Sequence, residues 1–484
     1  MIAAPGSGHG KTTITCAVLA ALTSLGKDVI AFKCGPDYVD PMFHTKAAGV
    51  ESRNLDVFLM GEDGVRYAAA RHSANRDAAV LEGVMGLYDG LGSGAYSSSN
   101  HISLLTNTPV ILVCDPKGAA LSVCAAIKGF LGFDKNNIRG IILNNVSGAM
   151  FKYYKDMIEA RLDIGVIGYM PNIPEARVES RHLGLITPDE IAGIRDKIRL
   201  LGEYALRHID FDALLRISET AEPFDAPEPA GLSGALPSAA PHDTPPPAAP
   251  PDLPALVAPV CSPPAAPHDT PPSAAPVGAP KIYVARDEAF CFRYEDNLDL
   301  LRAMGAEIRF FSPVHDGECP DDADGLILLG GYPELHGEAL ANNINMARGI
   351  KSSIGAGVPV YAEGGGFMYL LESLTDFHGN TYNMTGVLPG NARMTQKLQH
   401  FGYYEITAQR DNMLCRAGDR INAHFFHRSA CGDEGDCFMA VKQNGASFPC
   451  IFARDNVFAG YQHLHFWSNP SFARNFIEAC KIRR

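Results

Sequence analysis

The stretch that decides the fold is Gly6-Ser7-Gly8-His9-Gly10-Lys11-Thr12-Thr13, a glycine-rich turn that follows a short apolar run. Successive backbone N–H groups of such a turn point at phosphate oxygens, and the next helix adds the positive end of its dipole. In this pattern Lys11 reaches the β- and γ-phosphates, and the hydroxyl of Thr12 holds Mg²⁺. The apolar period that follows predicts a helix ending at Gly26. The motif predicts a phosphate-binding loop for ATP or GTP, formed by Gly6, Ser7, Gly8, Gly10, Lys11, Thr12 and Thr13.

The bulk composition limits the classes of partner. The 484 residues carry a net charge of −13, which leaves no basic surface to replace the counterions of a nucleic acid. The apolar runs have the length of strands, so we expect no membrane-spanning helix. Met1 leads directly into the phosphate-loop strand, so we also expect no signal peptide. Twelve cysteines without a C-x-x-C pair indicate reduced thiols. We expect a cytoplasmic protein without nucleic-acid or membrane partners, and a homodimer stays open.

Residues 221–280 differ sharply in composition from the rest of the chain. They hold 19 of the 34 prolines, and the octapeptide at 239–246 recurs at 265–272. Such a sequence buries too little apolar surface to offset its ordering entropy, so it predicts a disordered, semi-stiff linker. The linker divides the chain into an ATP-binding domain over residues 1–220 and a second domain over residues 281–484.

Both halves alternate strand-like apolar runs with helical stretches. In the first half the predicted strands are 29–32, 78–82, 110–115, 140–144 and 165–169, and in the second they are 281–285, 307–311, 325–329 and 358–362. This alternation is typical of α/β proteins, and it predicts a doubly wound parallel sheet followed by a second α/β domain. Ligands of such sheets bind at the carboxyl ends of the strands.

Four carboxylates follow predicted strands of the first half. Asp37 and Asp40 lie three residues apart on a Gly-Pro turn, an arrangement suited to Mg²⁺ beside bound phosphates. Glu82 ends the next strand, where phosphate-loop enzymes place a metal-holding acid, and Asp89 follows it. We therefore predict Thr12, Asp37 and Glu82 as Mg²⁺ ligands.

The longer runs around these residues resemble the cobyrinic acid a,c-diamide synthase family. The resemblance is carried by residues 6–13, 32–41, 52–56, 81–90 and 181–185. The family's first half is similar to dethiobiotin synthetase, which accounts for Pro5 in the place of the usual first glycine. The resemblance implies ATP-dependent amidation, in which a corrin carboxylate takes the γ-phosphoryl group. Ammonia then displaces phosphate from the acyl phosphate.

The resemblance also implies roles for single residues. The positions that match those implicated in metal, nucleotide or tetrapyrrole binding are Asp37, Tyr38, Asp40, Glu82 and Asp89. Asn144 ends a predicted strand and is a candidate adenine contact, with capping of the strand end as the alternative. Phosphoryl transfer needs mainly positioning and neutralisation of charge, which Lys11, Thr12 and these acids could supply.

The second half resembles the family's glutaminase domain at residues 281–292 and 330–336. A glutaminase of this type uses a cysteine thiolate on a strand-to-helix turn, activated by a histidine. The matching turn carries Gly364 where the family has cysteine, although the histidine is retained as His463. Without the thiol this half cannot form the thioester, and we expect the nearest cysteine, Cys291, to pack in the core.

Three explanations of Gly364 stay open. The second half is a natural pseudo-glutaminase fed by free ammonia, or the codon carries an engineered or erroneous single-base change, or another protein supplies the ammonia. A further departure lies at residues 422–429, where Phe425 and Arg428 replace family residues and favour natural degeneration.

Two alternative functions also stay open. The same resemblance covers a,c-diamide synthases that act on nickel-sirohydrochlorin or on hydrogenobyrinate, and no residue names the macrocycle. A different class is a phosphate-loop switch ATPase that binds partner proteins. That class predicts a lysine near the first glycine of the loop and a membrane or DNA surface, whereas Pro5 and the acidic charge favour neither.

Overall fold

The computed structural model describes residues 1–177, 180–181, 184–185, 187–229, 231–232 and 278–482. Most of the predicted linker at 221–280 and part of the run at 181–185 therefore lie outside the described residues. Among the residues described, no helix combines the length and the apolar character that a membrane crossing requires.

The first half is built on a seven-stranded sheet. Its strands are β1 Ile2–Ala3, β2 Val29–Cys34, β3 Arg53–Leu55, β4 Ala78–Glu82, β5 Val110–Cys114, β6 Ile138–Asn144 and β7 Val166–Met170. All six pairings are parallel, and the strand order is β3-β2-β4-β1-β5-β6-β7. A separate hairpin pairs β8 Ser180–Arg181 with β9 Gly184–Leu185. The sheet confirms the predicted doubly wound α/β class.

Helices cover both faces of this sheet. They are α1 Lys11–Ser24, α2 Val39–Ala48, α3 Val57–Ser73, α4 Ser99–Leu105, α5 Ser122–Gly132, α6 Gly148–Glu159, α7 Ile194–His208 and α8 Phe211–Ser218. Side chains alternate along β2, so that Ile30 and Phe32 pack into one apolar core and Val29 and Ala31 into another. Because both faces are buried, β2 is apolar at nearly every position, as parallel strands between two helix layers are.

The second half combines an α/β sheet with smaller antiparallel sheets. Its helices are α9 Glu295–Ala303, α10 Gly337–Asn342, α11 Ile344–Gly355, α12 Gly365–Leu370 and α13 Pro470–Ile482. The six-stranded sheet has the spatial order Glu307–Phe311 (β11), Lys281–Ala285 (β10), Gly325–Leu328 (β12), Val360–Glu363 (β13), Val457–Gly460 (β23) and Phe452–Arg454 (β22). Only the edge strand β22 pairs antiparallel in it.

The remaining strands of the described residues form two further sheets. One contains β14 Ser373–Thr375, β15 Thr381–Asn383, β16 Asn391–Met394 and β19 Ser429–Ala430. The other contains β17 Phe401–Ala408, β18 Arg420–Phe426, β20 Phe438–Val441, β21 Ser447–Cys450 and β24 Gln462–Leu464. Short 3₁₀ turns lie at Pro174–Ala176, Pro188–Glu190, Pro333–Leu335 and Phe466–Ser468.

The two halves pack directly against each other. His72 of α3 contacts Asp296 of α9 at 2.7 Å, and the side-chain amide of Asn422 donates to the carbonyl oxygen of Phe58 at 2.7 Å. The first half makes contacts through α3 and through Tyr38, which follow the carboxyl ends of β3 and β2. The carboxyl edge of that sheet therefore faces the second half.

Candidate active site

The phosphate loop connects β1 to α1 and is shaped by two glycines with positive φ. Gly8 has φ 82° and Gly10 has φ 87°, a region that side chains rarely adopt. A Cβ atom on Gly10 would also collide with the side-chain amide of Asn144. That amide donates to the carbonyl oxygen of His9 at 2.9 Å, so Asn144 supports the loop from the end of β6. Its contact with adenine stays a prediction.

Lys11 lies inside the curve of the loop. Its ammonium donates to the carbonyl oxygens of Gly6 at 3.0 Å and of Met85 at 2.6 Å. Burial, followed by the nearby positive charge of Lys33, lowers the pKa of Lys11 to about 8. Nearby carboxylates, Asp89 among them, act in the opposite direction. The ammonium is thus held between the loop and the segment that follows β4.

Glu82 connects the loop to the interior of the sheet. The hydroxyl of Thr12 donates to its Oε1 at 2.8 Å, and Nε2 of His44 lies 2.6 Å from its Oε2. Glu82 is fully buried, which alone would raise its pKa, but the charge of Lys33 and the contact with His44 outweigh burial and hold the pKa well below its usual range. Glu82 is therefore an anion, in contact with the Thr12 hydroxyl.

Lys33 is a functional candidate of the first half that sequence reasoning missed. Its ammonium lies 2.5 Å from Oδ2 of Asp40 and 2.8 Å from Oε1 of Glu82, and the side chain is buried. Burial alone would lower its pKa, but the two carboxylates raise it well above the usual value. The available signal was a lysine within β2, a strand whose six positions are all buried. Lysine is almost never buried without an anionic partner.

The other predicted acids stand close by, in different roles. Oδ1 of Asp37 accepts from the N–H groups of Val39 at 2.8 Å and Asp40 at 3.0 Å, so it caps the start of α2. Burial, and then the charge of Asp37, raises the pKa of Asp40 to about 8. Oδ2 of Asp89 accepts from the N–H of Gly86 at 2.9 Å in the loop after β4. The structure thus gathers Thr12, Asp40 and Glu82 around Lys33, with Asp37 beside them.

In the second half, Gly364 lies on the turn between β13 and α12. Its φ of 45° and ψ of −107° are open to glycine and rarely adopted by other residues. A strand-to-helix turn is also where hydrolases of α/β type place a nucleophile. A Cβ atom built on Gly364 lies 3.0 Å from Cε1 and 3.1 Å from Nε2 of His463. A side chain at this position would therefore lie directly against the imidazole.

Glu363 holds His463 in place and was missed by sequence reasoning. Its Oε2 lies 3.1 Å from Nδ1 of His463, and its Oε1 accepts from the N–H of Leu464 at 3.1 Å. Because Nδ1 of His463 contacts Glu363, the other ring nitrogen, Nε2, faces Gly364. Cys291 is partly buried and packs against the apolar core, as expected, and burial raises the pKa of its thiol well above the usual value, which disfavours the thiolate that a nucleophile needs.

Tyr38 joins the two predicted sites. Its ring stacks on that of Phe292 with a centroid distance of 5.1 Å, and it lies 5.2 Å from the imidazole of His463. Since Tyr38 directly follows Asp37, the phosphate-binding side of the first half and the histidine of the second half are separated by one aromatic side chain.

Comparisons with known proteins agree with this arrangement. Residues 1–186 match the CobQ/CobB/MinD/ParA nucleotide binding domain, and residues 281–471 match the CobB/CobQ-like glutamine amidotransferase domain. The cobyrinate a,c-diamide synthase of Clostridium tetani is 36% identical over 485 residues, which cover 99% of each chain. That of Thermoplasma volcanium is 36% identical over 483 residues, covering 99% of this chain and 96% of the relative.

Solved structures match single halves at lower similarity. The MinD cell division protein of Aquifex aeolicus is 16% identical with a TM-score of 0.29, and the match covers 46% of this chain and 98% of that one. The assignment to a family therefore comes from the full-length relatives. The chain belongs to the cobyrinate a,c-diamide synthase family.

Proposed function

We propose that the chain catalyses the ATP-dependent amidation of the a- and c-carboxylates of cobyrinic acid, a corrin tetrapyrrole. The observation that carries the proposal is the buried cluster of Lys11, Thr12, Lys33, Asp40 and Glu82 beside the phosphate loop. In a chain of this family, such a cluster supplies the charge and the positioning that phosphoryl transfer from ATP requires.

The loop and the start of α1 supply the ATP site. The N–H groups at the N-terminus of α1 and of the glycine turn face the phosphates, and Lys11 exchanges its two carbonyl acceptors for phosphate oxygens. The lowered pKa of Lys11 returns toward its usual value when phosphate charge arrives, because an anion stabilises the ammonium.

The residues present fit a Mg²⁺ ion beside the phosphates. The Thr12 hydroxyl and the carboxylates of Glu82, Asp40 and Asp37 are hard oxygen donors, and the hydroxyl of Thr12 already lies 2.8 Å from Oε1 of Glu82. Thr12 and Glu82 would hold the ion, with Asp37 next to them. Mg²⁺ bound there would neutralise charge on the β- and γ-phosphates.

The reaction proceeds in two displacements. A corrin carboxylate oxygen attacks the γ-phosphorus, the bond from that phosphorus to the bridging oxygen breaks, and ADP leaves. Ammonia then attacks the acyl carbon of the acyl phosphate, inorganic phosphate leaves, and the nitrogen loses a proton. Lys11 and Lys33 offset the negative charge that accumulates where the corrin carboxylate meets the phosphates of ATP.

We propose free ammonia as the nitrogen source. His463 and Glu363 are in place, but position 364 carries no thiol to form a glutamyl thioester. The wild-type chain would therefore use ammonium and leave glutamine uncleaved.

The remaining assignments are proposals on the same basis. We assign residues 1–220 to the ATP-binding domain, 221–280 to a linker and 281–484 to the glutaminase-like domain. A cytoplasmic location without nucleic-acid partners is supported by the charge of −13 and by the free thiols of the eleven described cysteines.

ADP release in the presence of cobyrinic acid, ATP, Mg²⁺ and ammonium tests the proposal. Lys11→Ala should lower the rate by at least about a hundredfold, because it removes charge that offsets the phosphates. Lys27→Ala, at an exposed lysine between α1 and β2, is the matched control and should keep the wild-type rate. A wild-type rate in Lys11→Ala, or no amide product from wild type, would overturn the proposal.

A further inference from the structure

The two halves enclose a cleft of about 640 Å³ outside the phosphate loop. The first half lines it with the start of α3 (Val57–Gly61) and with Tyr96. The second half lines it with Tyr403, the segment Val441–Gln443 and Trp467. None of the residues placed above in phosphoryl transfer lines this cleft.

The position of the cleft relates it to the ATP site. The predicted phosphate loop follows β1, Glu82 is the last residue of β4, and Asp37 follows β2. These three strands are successive neighbours in the sheet. The cleft lies after β3, the next strand along the same carboxyl edge. In sheets of this kind, ligands bind along that edge.

One loop connects the two places. It begins after β4, where the carbonyl oxygen of Met85 accepts from the ammonium of Lys11 at 2.6 Å. It ends at Tyr96, which lines the cleft. On the way it passes the second half at Gly92, where an added Cβ atom would lie 3.8 Å from Oε1 of Gln443. The loop therefore runs from the contact with Lys11 to the wall of the cleft.

The lining has the chemistry of a site for a flat, apolar ring. Phe58 and Tyr403 pack with a ring-centroid distance of 4.8 Å, Tyr96 adds an exposed aromatic face, and Trp467, 4% exposed, lies at the floor. The polar side chains of Asn422, Gln443 and Ser468 complete the lining. Tyr96 is 48% exposed and Val441 40% exposed, so the mouth of the cleft presents apolar surface to solvent. Aromatic faces favour stacked flat ligands.

A cation at the mouth completes the pattern. The ammonium of Lys442 donates to the carbonyl oxygen of Phe401 at 2.8 Å. Within the part of the chain that the structure describes, no carboxylate pairs with it. The one carboxylate of the cleft lining, Glu405, accepts from the guanidinium of Arg420 at 2.9 Å. A second cavity of about 560 Å³, within the second half, is instead lined by Glu334, Glu338 and Asp376, which would repel a polyanion.

We propose that this cleft binds the macrocycle of the tetrapyrrole substrate, an inference that rests on the proposed function and names the place of its substrate. The ring lies against the aromatic faces, and Lys442 pairs with a peripheral carboxylate. The edge that carries the reacting carboxylate points along the loop from Tyr96 to Met85, toward the phosphates. Lys442 and Tyr96 are thus binding residues that act on the affinity for the macrocycle.

The test uses Tyr96→Ala and Lys442→Met, whose side chains are not buried. For each variant the KM for cobyrinic acid should rise about tenfold, while the KM for ATP and kcat stay within about twofold of wild type. Phe377→Ala, at an exposed phenylalanine of the second cavity, is the control and should change none of these values. Cobyrinic acid binding without ATP is measured independently by quenching of the only tryptophan, Trp467.

The outcomes separate the two proposals. An active wild type whose KM and dissociation constant for cobyrinic acid are unchanged in both variants would overturn the cleft assignment and leave the amidation standing. A fall in kcat alone would also overturn it, since that result places both residues in a structural role. If wild type releases no ADP but binds cobyrinic acid, and the variants weaken that binding tenfold, the cleft is supported while the amidation fails. Absence of binding to wild type overturns the cleft.

Discussion

Tyr403 and Asp56 join the two halves of the molecule, because the hydroxyl of Tyr403 donates a 2.5 Å hydrogen bond to Oδ2 of Asp56. Oδ1 of the same carboxyl accepts from the N–H of Leu59 at 2.9 Å and so caps α3. Burial raises the pKa of Asp56 to about 6, against the effect of these hydrogen bonds. In the folded chain the ionised form of Asp56 is therefore less stable, relative to the protonated form, than it is in water.

The first prediction is a pH dependence of stability from Asp56. The pKa of Asp56 is about 6 in the folded chain, against an ordinary value of 3.8. The folded chain therefore binds the proton more tightly than the unfolded chain. The resulting stabilisation is complete below pH 4 and is lost as the pH rises through 6. The loss amounts to about 3 kcal/mol. Relative to wild type, Asp56→Asn should gain this amount between pH 4 and 6 in urea unfolding. Parallel pH profiles of the two proteins would contradict the prediction.

The second prediction concerns the ion pairs around Asp296, which is buried between the halves. Nε2 of His72 lies 2.7 Å from its Oδ1, and the guanidinium of Arg53 lies 3.8 Å from Asp296 and 2.8 Å from Asp299. His72 and the two carboxylates could meet at a metal ion, but Arg53 already supplies a cation. We expect a chelator to leave the stability unchanged.

Asp296→Asn should lower the free energy of unfolding by about 3–5 kcal/mol, because it removes the fully buried carboxylate that faces both His72 and Arg53 and leaves Arg53 only the partly exposed Asp299. Asp299→Asn, at a carboxylate that is 26% exposed, is the matched control and should cost about 1 kcal/mol or less. Equal effects of the two substitutions, measured by denaturant unfolding, would argue against a special role of the buried carboxylate.

The third prediction assigns Lys33 to phosphoryl transfer. Lys33→Met removes the cation between Asp40 and Glu82 and should reduce ADP release by at least about a hundredfold. Lys27→Met, at an exposed lysine just before the same strand, is the matched control and should keep the wild-type rate. Lys33→Arg retains the charge and distinguishes loss of charge from loss of folding. Equal activity of Lys33→Met and Lys27→Met, with both variants folded, would rule out the role.

Sequence reasoning succeeded where the signal is local. Glycines at fixed spacing before Lys11 predict a tight turn between a strand and a helix, and Gly8 and Gly10 have the positive φ that such a turn uses. The nine predicted strands all appear, within a few residues of their ends, because each is an apolar run. The three-residue β3 was missed because it is too short to show a period.

Other parts of the site depend on contacts that no local pattern carries. Glu363 orients His463, which lies 100 residues away, and this pairing exists only once β13 and β24 are placed. Lys33 looks like an ordinary residue of an apolar strand until its two carboxylates surround it. The cleft needs walls from both halves, so it follows only from their packing.

The last prediction concerns the nitrogen source. Gly364→Cys should create glutamine-dependent ADP release, because its Cβ would stand 3.0 to 3.1 Å from the imidazole of His463, which Glu363 already orients. The contact is tight enough that His463 must shift by a few tenths of an ångström, and the cysteine must hold a φ of 45° that side chains rarely adopt. The measurement compares ADP release with glutamine and with ammonium, at matched nitrogen and at a pH high enough for some free ammonia.

The double variant Gly364→Cys/His463→Asn is the control. It should lose roughly 10²–10⁴-fold of the recovered glutamine activity, because the thiol then lacks its base, while ammonium-dependent activity stays. No recovery in Gly364→Cys would point to further decay in β18, where His424 and Phe425 pair with His463 and Gln462 of β24. Because Gly364 has no side chain to form the thioester, we expect no glutamine use by the unmodified chain. Robust glutamine use would contradict free ammonia as its nitrogen source.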